Sequence, residues 1–106
     1  MEIKGVLKIE DRCTCWEDGS SQLYIYNYDL LIKKDAQVEL KGHLFGGLLK
    51  ILDIISNNEI MVVLDNDKAE SLKRGETKVF ESSDSCGDGS HFEAFRSELT
   101  VTFINQ

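Results

Sequence analysis

The sequence predicts an all-β fold, an antiparallel β-sandwich of about seven or eight strands, with a closed β-barrel as the alternative. Three observations predict it. Apolar residues alternate with polar ones at period two through most of the chain, the pattern of pleated strands with one covered face. Turn formers (Gly, Asn, Asp, Ser) recur at short intervals between these runs, and proline is absent, so they alone must make the turns. At most one short segment reads as a helical turn. The length of 106 residues is that of one domain, so residues 1–106 are expected to form a single β-domain. A composition 42% apolar and 29% charged is that of a globular chain rather than a disordered one.

The elements follow in order. Ile3 to Ile9 reads as a strand with Ile3, Leu7 and Ile9 on one face and Lys4 and Lys8 on the other, which suits a solvent-exposed or edge position. Glu10 to Gln22 interrupts the pattern. Asp18-Gly19-Ser20-Ser21 is a turn signal there, and Cys13, Cys15 and Trp16 can extend the strand toward it. Leu23 to Ile32 is the strongest strand, rich in aromatic and β-branched residues. It puts Tyr24, Tyr26, Tyr28, Leu30 and Ile32 on one face and Leu23, Ile25 and Leu31 on the other, as in a central strand covered on both sides.

Lys33-Lys34-Asp35 is a tight connection, and Ala36, Val38 and Leu40 then alternate with polar neighbours in a one-sided strand. Gly42 to Gly47 reads as an irregular connection or bulge. Leu48 to Ile55 fits both a helical stripe and a strand; eight residues is short for a helix. Asn57-Asn58 reads as a primed hairpin turn returning into Ile60 to Leu64, so 48–64 is expected to be a hairpin. One helical turn is expected around Lys68 to Leu72, a short strand from Thr77 to Glu81, and a polar loop from Glu81 to Ser90. Phe92 to Ile104 closes the chain as a long strand with Phe95, Leu99, Val101 and Phe103 on one face.

The formal net charge is −7, unevenly spread: −2 over residues 1–53 and −5 over residues 54–106. This argues against nucleic acid, whose phosphates need clustered Lys and Arg, and against anionic membrane surfaces. No apolar stretch approaches the ~20 residues needed to span a bilayer, and no signal peptide is visible. Three cysteines cannot all pair within one chain, which points to a reducing, cytoplasmic setting with free thiols.

Four constellations can carry chemistry. Asp84-Ser85-Cys86-Gly87-Asp88-Gly89-Ser90 places Asp, Cys, Asp and Gly at the first, third, fifth and sixth positions of a calcium loop. Cys86 is a poor ligand for a hard cation, however, and Phe95 stands where the bidentate Glu belongs. A looser site using Asp84 and Asp88, or a plain polar loop, fits better. Cys13, Cys15, Cys86 and His91 are the right ligand types for zinc, but one residue between the first pair is closer than structural sites use. Cys86 and His91 form the most enzyme-like pair, without a legible orienting group or oxyanion hole. His43 beside Leu44-Phe45 reads as structural or surface imidazole. Tyr24, Tyr26 and Tyr28 form either a platform for a sugar or partner side chain, or a cover over the core.

The leading expectation is therefore a non-catalytic binding domain, with no metal and no cofactor, that docks a protein partner with a basic surface in an adaptor or inhibitor role. The alternative is a carbohydrate- or calcium-binding module, and the third reading is a Cys/His-dependent enzyme.

Overall fold

Asp18-Gly19 is the most explicit local instruction in the chain. The structure, a computed structural model, describes residues 4–41, 47–65, 69–87 and 92–105. In it both turn residues take positive φ, 46° and 88°, and close a two-residue primed turn between β1 (Val6–Glu17) and β2 (Ser20–Leu31). The two strands pair without a register break from Glu17↔Ser20 to Val6↔Leu31. The chain then crosses to a second layer and runs as a meander through β3 (Gln37–Glu39), β4 (Leu48–Ser56), β5 (Glu59–Leu64) and β6 (Ala69–Lys73). It returns through Arg74-Gly75-Glu76 to the first layer as β7 (Thr77–Gly87) and β8 (Phe92–Ile104), and β8 pairs with β1.

Among the described residues the outcome is two antiparallel four-stranded sheets, ordered β2-β1-β8-β7 and β3-β4-β5-β6, and no closed barrel. The sandwich expected from the alternation is the fold, with eight strands. Inward residues of both layers interdigitate: Leu7, Ile9, Leu99, Val101 and Phe103 from the first meet Leu49, Ile51, Ile60, Val62 and Leu72 from the second.

Several local expectations need correction. β1 is an interior strand whose lysine face is exposed, so of its two expected settings solvent exposure holds and the edge position does not; β2, expected to be central, is an edge. Lys8 is accommodated on the outer face because Asp29 of β2 lies opposite and bonds it at 3.0 Å. Leu23, Ile25 and Leu31 are exposed, so apolar residues on both faces do not make β2 central. Residues 69–73 form strand β6, because Leu72 is drawn fully into the core and its neighbours pair with β5. Residues 81–87 continue β7, held by pairing to β8 from Glu81↔Glu98 to Gly87↔Phe92. Leu48 to Ser56 is a strand, as its length suggested. Asn57 and Asn58 do make the turn, but neither has positive φ, so it is not primed. The register shifts between Ile54 and Ser56 absorb the resulting mismatch in twist. The expected irregular segment at 42–47 lies, apart from Gly47, outside the described residues.

One side group ties the pole where the chain ends lie. Arg74 donates to the Lys4 carbonyl at 2.7 Å, to Asn105 Oδ1 at 2.8 Å, to Asn58 Oδ1 at 3.3 Å and to the Asn57 carbonyl. Its guanidinium lies 4.6 Å from the centre of the Phe103 ring. Gly5 makes that approach possible: at φ 151°, a Cβ there would stand 2.8 Å from Phe103 Cε1 and 3.2 Å from the guanidinium.

The two layers differ in length, and that difference creates the surface of interest. The strands of the first sheet have 11 to 13 residues and those of the second 3 to 9. At about 3.3 Å per residue the first sheet must outrun the second. The molecule is accordingly elongated, 55 × 23 × 19 Å. Along the inner face of β1 the core ends at Cys13, beyond which Cys15 is half-buried and Glu17 exposed.

Candidate functional site

Where the core ends, the inner face of the long sheet turns polar. Asp11, Cys13 and Ser97 are buried side by side on β1 and β8, with Cys13 Sγ 3.0 Å from Ser97 Oγ and 3.9 Å from Asp11 Oδ1. This seam closes the apolar interior. Beyond it, among the described residues, the inner face of the four-stranded sheet grades from half-buried Cys15 and Phe95 to exposed Glu17 and Asp84.

Strand alternation sorts the overhang into two faces. On the inner face Glu17 of β1 lies directly across from Glu93 of β8, and Asp84 of β7 lies across from Phe95 on the same face. Like charges directly opposed on a sheet are destabilising, by roughly 0.2–1 kcal/mol on the scale of other cross-strand pairs. Among the described residues no lysine or arginine occupies this face of the overhang. The carboxylates are spread over three strands, and among the described residues no group of His, Cys, Asp or Glu is gathered tightly enough to hold a metal ion.

The outer face carries Trp16 and Phe92. Trp16 is 39% and Phe92 53% exposed, an unusual loss for such large rings. Their strands are fixed together because Asp18 Oδ1 accepts the Phe92 N–H at 3.1 Å while the Asp18 N–H donates to the Phe92 carbonyl. A shallow depression of about 370 Å³ lies beside Trp16, lined by Ser83, Asp84, Ala94 and Arg96 among others. A second, of about 470 Å³, lies over Lys8, Glu10, Asn27, Asp29, Thr100 and Thr102 near the middle of the sheet. Ile9 and Tyr28 also line it, and its charges are engaged, Lys8 with Asp29 and Glu10 with Arg12.

The residues singled out from sequence fall into different places. Tyr24, Tyr26 and Tyr28 do share a face, and it is the inner one. Tyr28 packs against the core and its hydroxyl accepts the Lys41 N–H at 2.9 Å. Burial pushes its pKa up, against a smaller lowering by that hydrogen bond. Tyr26 is half-buried, and Tyr24, the most exposed, donates to Gln22 Oε1. The stripe thus grades from core packing to the overhang and is not one flat platform. Asp84 lies in a strand and accepts the Ser85 N–H, where a loop ligand was expected. Asp88, His91 and His43 lie outside the described residues, so the calcium pair, the zinc set and the Cys86–His91 pair have no described geometry. Cys13 and Cys15 lie on one face, neither of them in a disulfide, and the Cys15 pKa is raised by burial and then by Cys13.

Trp16, Glu17, Phe92 and Glu93 were not singled out from sequence. Trp16 and Glu17 flank the legible Asp18-Gly19 turn, but their meeting with β8 depends on a pairing 76 to 78 positions distant along the chain.

Comparison with known proteins adds little. No family model matches the chain, and no curated protein does. Among solved structures, the ywiB protein from Bacillus subtilis is similar over 91% of both chains at 11% identity, with a TM-score of 0.29.

Proposed function

We propose that the chain is a non-catalytic binding domain whose overhanging end docks a protein partner with a basic surface. The observation that carries this reading is the pair of exposed carboxylates Glu17 and Asp84 on one face, at an end that also exposes Trp16 and Phe92. Exposed carboxylates such as Glu17 and Asp84, on a chain of charge −7, attract lysine and arginine from a distance and raise the encounter rate. Large rings left in solvent supply the apolar contact that lengthens the life of the complex. Neither role requires a nucleophile or a bound ion.

The test uses peptides of defined charge in place of an unknown partner. Binding of Lys/Arg-rich and Asp/Glu-rich peptide sets is measured by surface plasmon resonance across a salt series. Basic peptides are expected to bind and acidic ones not, with association slowing about tenfold or more as salt rises past the ~10 Å screening regime. Glu17→Lys is expected to abolish the preference, and Trp16→Ala to speed dissociation. Equal binding of both sets, or an unchanged preference in Glu17→Lys, would remove the proposal.

A further inference from the structure

The outer side of β2 is the longest unprotected strand edge among the described residues. Sheets in natural proteins guard their edges with lysine, proline, bulges or short strands. The other three edges follow that practice: β3 has 3 residues, β6 has 5 with Glu70 and Lys73, and β7 carries Lys78, Glu81 and Asp84. β2 has 12 residues, no lysine, no proline and no register break against β1. From Gly19 to Tyr28 it has no charged residue at all, in a chain that is 29% charged.

The hairpin geometry states which backbone groups face outward. A two-residue turn makes Glu17 and Ser20 a hydrogen-bonded pair, and such pairs then alternate along an antiparallel ladder. Even-numbered residues of β2 therefore bond to β1. Ser21, Leu23, Ile25 and Asn27 direct their N–H and C=O groups away from the sheet. Two of these four also present exposed apolar side chains, Leu23 at 54% and Ile25 at 44%.

We propose that this edge pairs antiparallel with the same edge of a second copy of the chain, joining two four-stranded sheets into one of eight strands. Charge selects the occupant. With −7 on each copy the two chains repel overall, whereas the uncharged stretch from Gly19 to Tyr28 meets itself without opposing like charges. The segment is also self-complementary about a two-fold axis, as a symmetric dimer requires. Centred on Tyr24, the pairing sets Leu23 against Ile25 of the second copy twice over, Ser21 against Asn27 twice over, and Tyr24 against Tyr24. The outward backbone groups of the odd residues then meet in hydrogen-bonded pairs. The turn of each copy falls beside Asp29 of the other, whose carboxylate Lys8 holds at 2.9 Å.

Sedimentation of the purified full chain from micromolar to submillimolar concentration tests this. The mass is expected to rise from 12.0 kDa to twice that value for the unaltered chain. Ile25→Lys and Leu23→Lys, each placing a lysine on the edge, are expected to remain monomeric with unchanged strand signal in circular dichroism. Two variants being available, failure of one to fold leaves the other as the test. Oxidation reads the register: opposed non-hydrogen-bonded residues lie about 4.5 Å apart at Cα, within disulfide reach. Because Cys13 lies opposite Tyr24 within one chain and could bridge to it, the test is made in a Cys13→Ala background: there Tyr24→Cys should cross-link two copies, while Asn27→Cys and the Cys13→Ala chain alone should not. A monomer at every concentration, a dimer that survives both lysine substitutions, or equal cross-linking by Tyr24→Cys and Asn27→Cys would overturn the proposal.

Discussion

Replacing Arg74 by alanine should destabilise the fold more than any other change at a residue that is not fully buried. The side chain links Lys4, Asn105 and the Asn57-Asn58 turn, which belong to the start of the chain, its end and the second sheet. Hydrogen bonds from a charged donor contribute roughly 1.5–3 kcal/mol each when desolvated. Arg74 is half-exposed, so water can replace part of what is lost, and about 1 kcal/mol for each of three linked groups is the better scale. The guanidinium over Phe103 adds about 0.5–1 kcal/mol. Arg74→Ala is therefore expected to lower stability by about 3–4 kcal/mol, or Tm by roughly 12–30 °C for a chain of this size. Arg74→Lys keeps the charge but cannot reach all the acceptors at once, so it should recover less than half of the loss. Urea denaturation followed by circular dichroism measures both. A midpoint for Arg74→Ala equivalent to less than about 0.5 kcal/mol of change, the range of ordinary surface substitutions, would refute this account.

Two further expectations concern single positions. Tyr28 is held above its ordinary pKa chiefly by burial, so the unfolded chain ionises first. Its contribution is intact below about pH 10 and lost as pH rises through the folded-state value; Tyr28→Phe should flatten that alkaline loss, and an identical slope in the two proteins would refute it. Gly5→Ala should cost about 2 kcal/mol or more in urea denaturation, because its Cβ meets the Phe103 ring at 2.8 Å and the backbone has φ 151°. A neutral Gly5→Ala would show that Phe103 and Arg74 can shift aside.

The sandwich was legible because its signal is local. Alternation in Leu7–Ile9, Val38–Leu40 and Leu99–Phe103 states which residues face inward, and each of these lies in the core or packs against it. The rank of a strand within its sheet is a different kind of fact. β2 resembles a central strand on composition, yet its place is set by which strand β8 selects, and that choice is made between the two ends of the chain. Ser82 to Gly87 looked like a loop because nothing apolar drives it into a strand; pairing with β8 supplies the missing instruction. The candidate surface suffered most, since Glu17 and Glu93 acquire meaning only as neighbours.

The Arg74 clamp has a practical consequence. Because it grips Lys4 and Asn105 together, these two positions lie at one pole, and the Asp18-Gly19 turn marks the other. β1 spans that interval with 12 residues, roughly 40 Å of extended chain. A tether or dye attached at Lys4 is thus rooted a full strand length from Trp16 and Phe92, so the protein can be immobilised there with the opposite pole presented to solution.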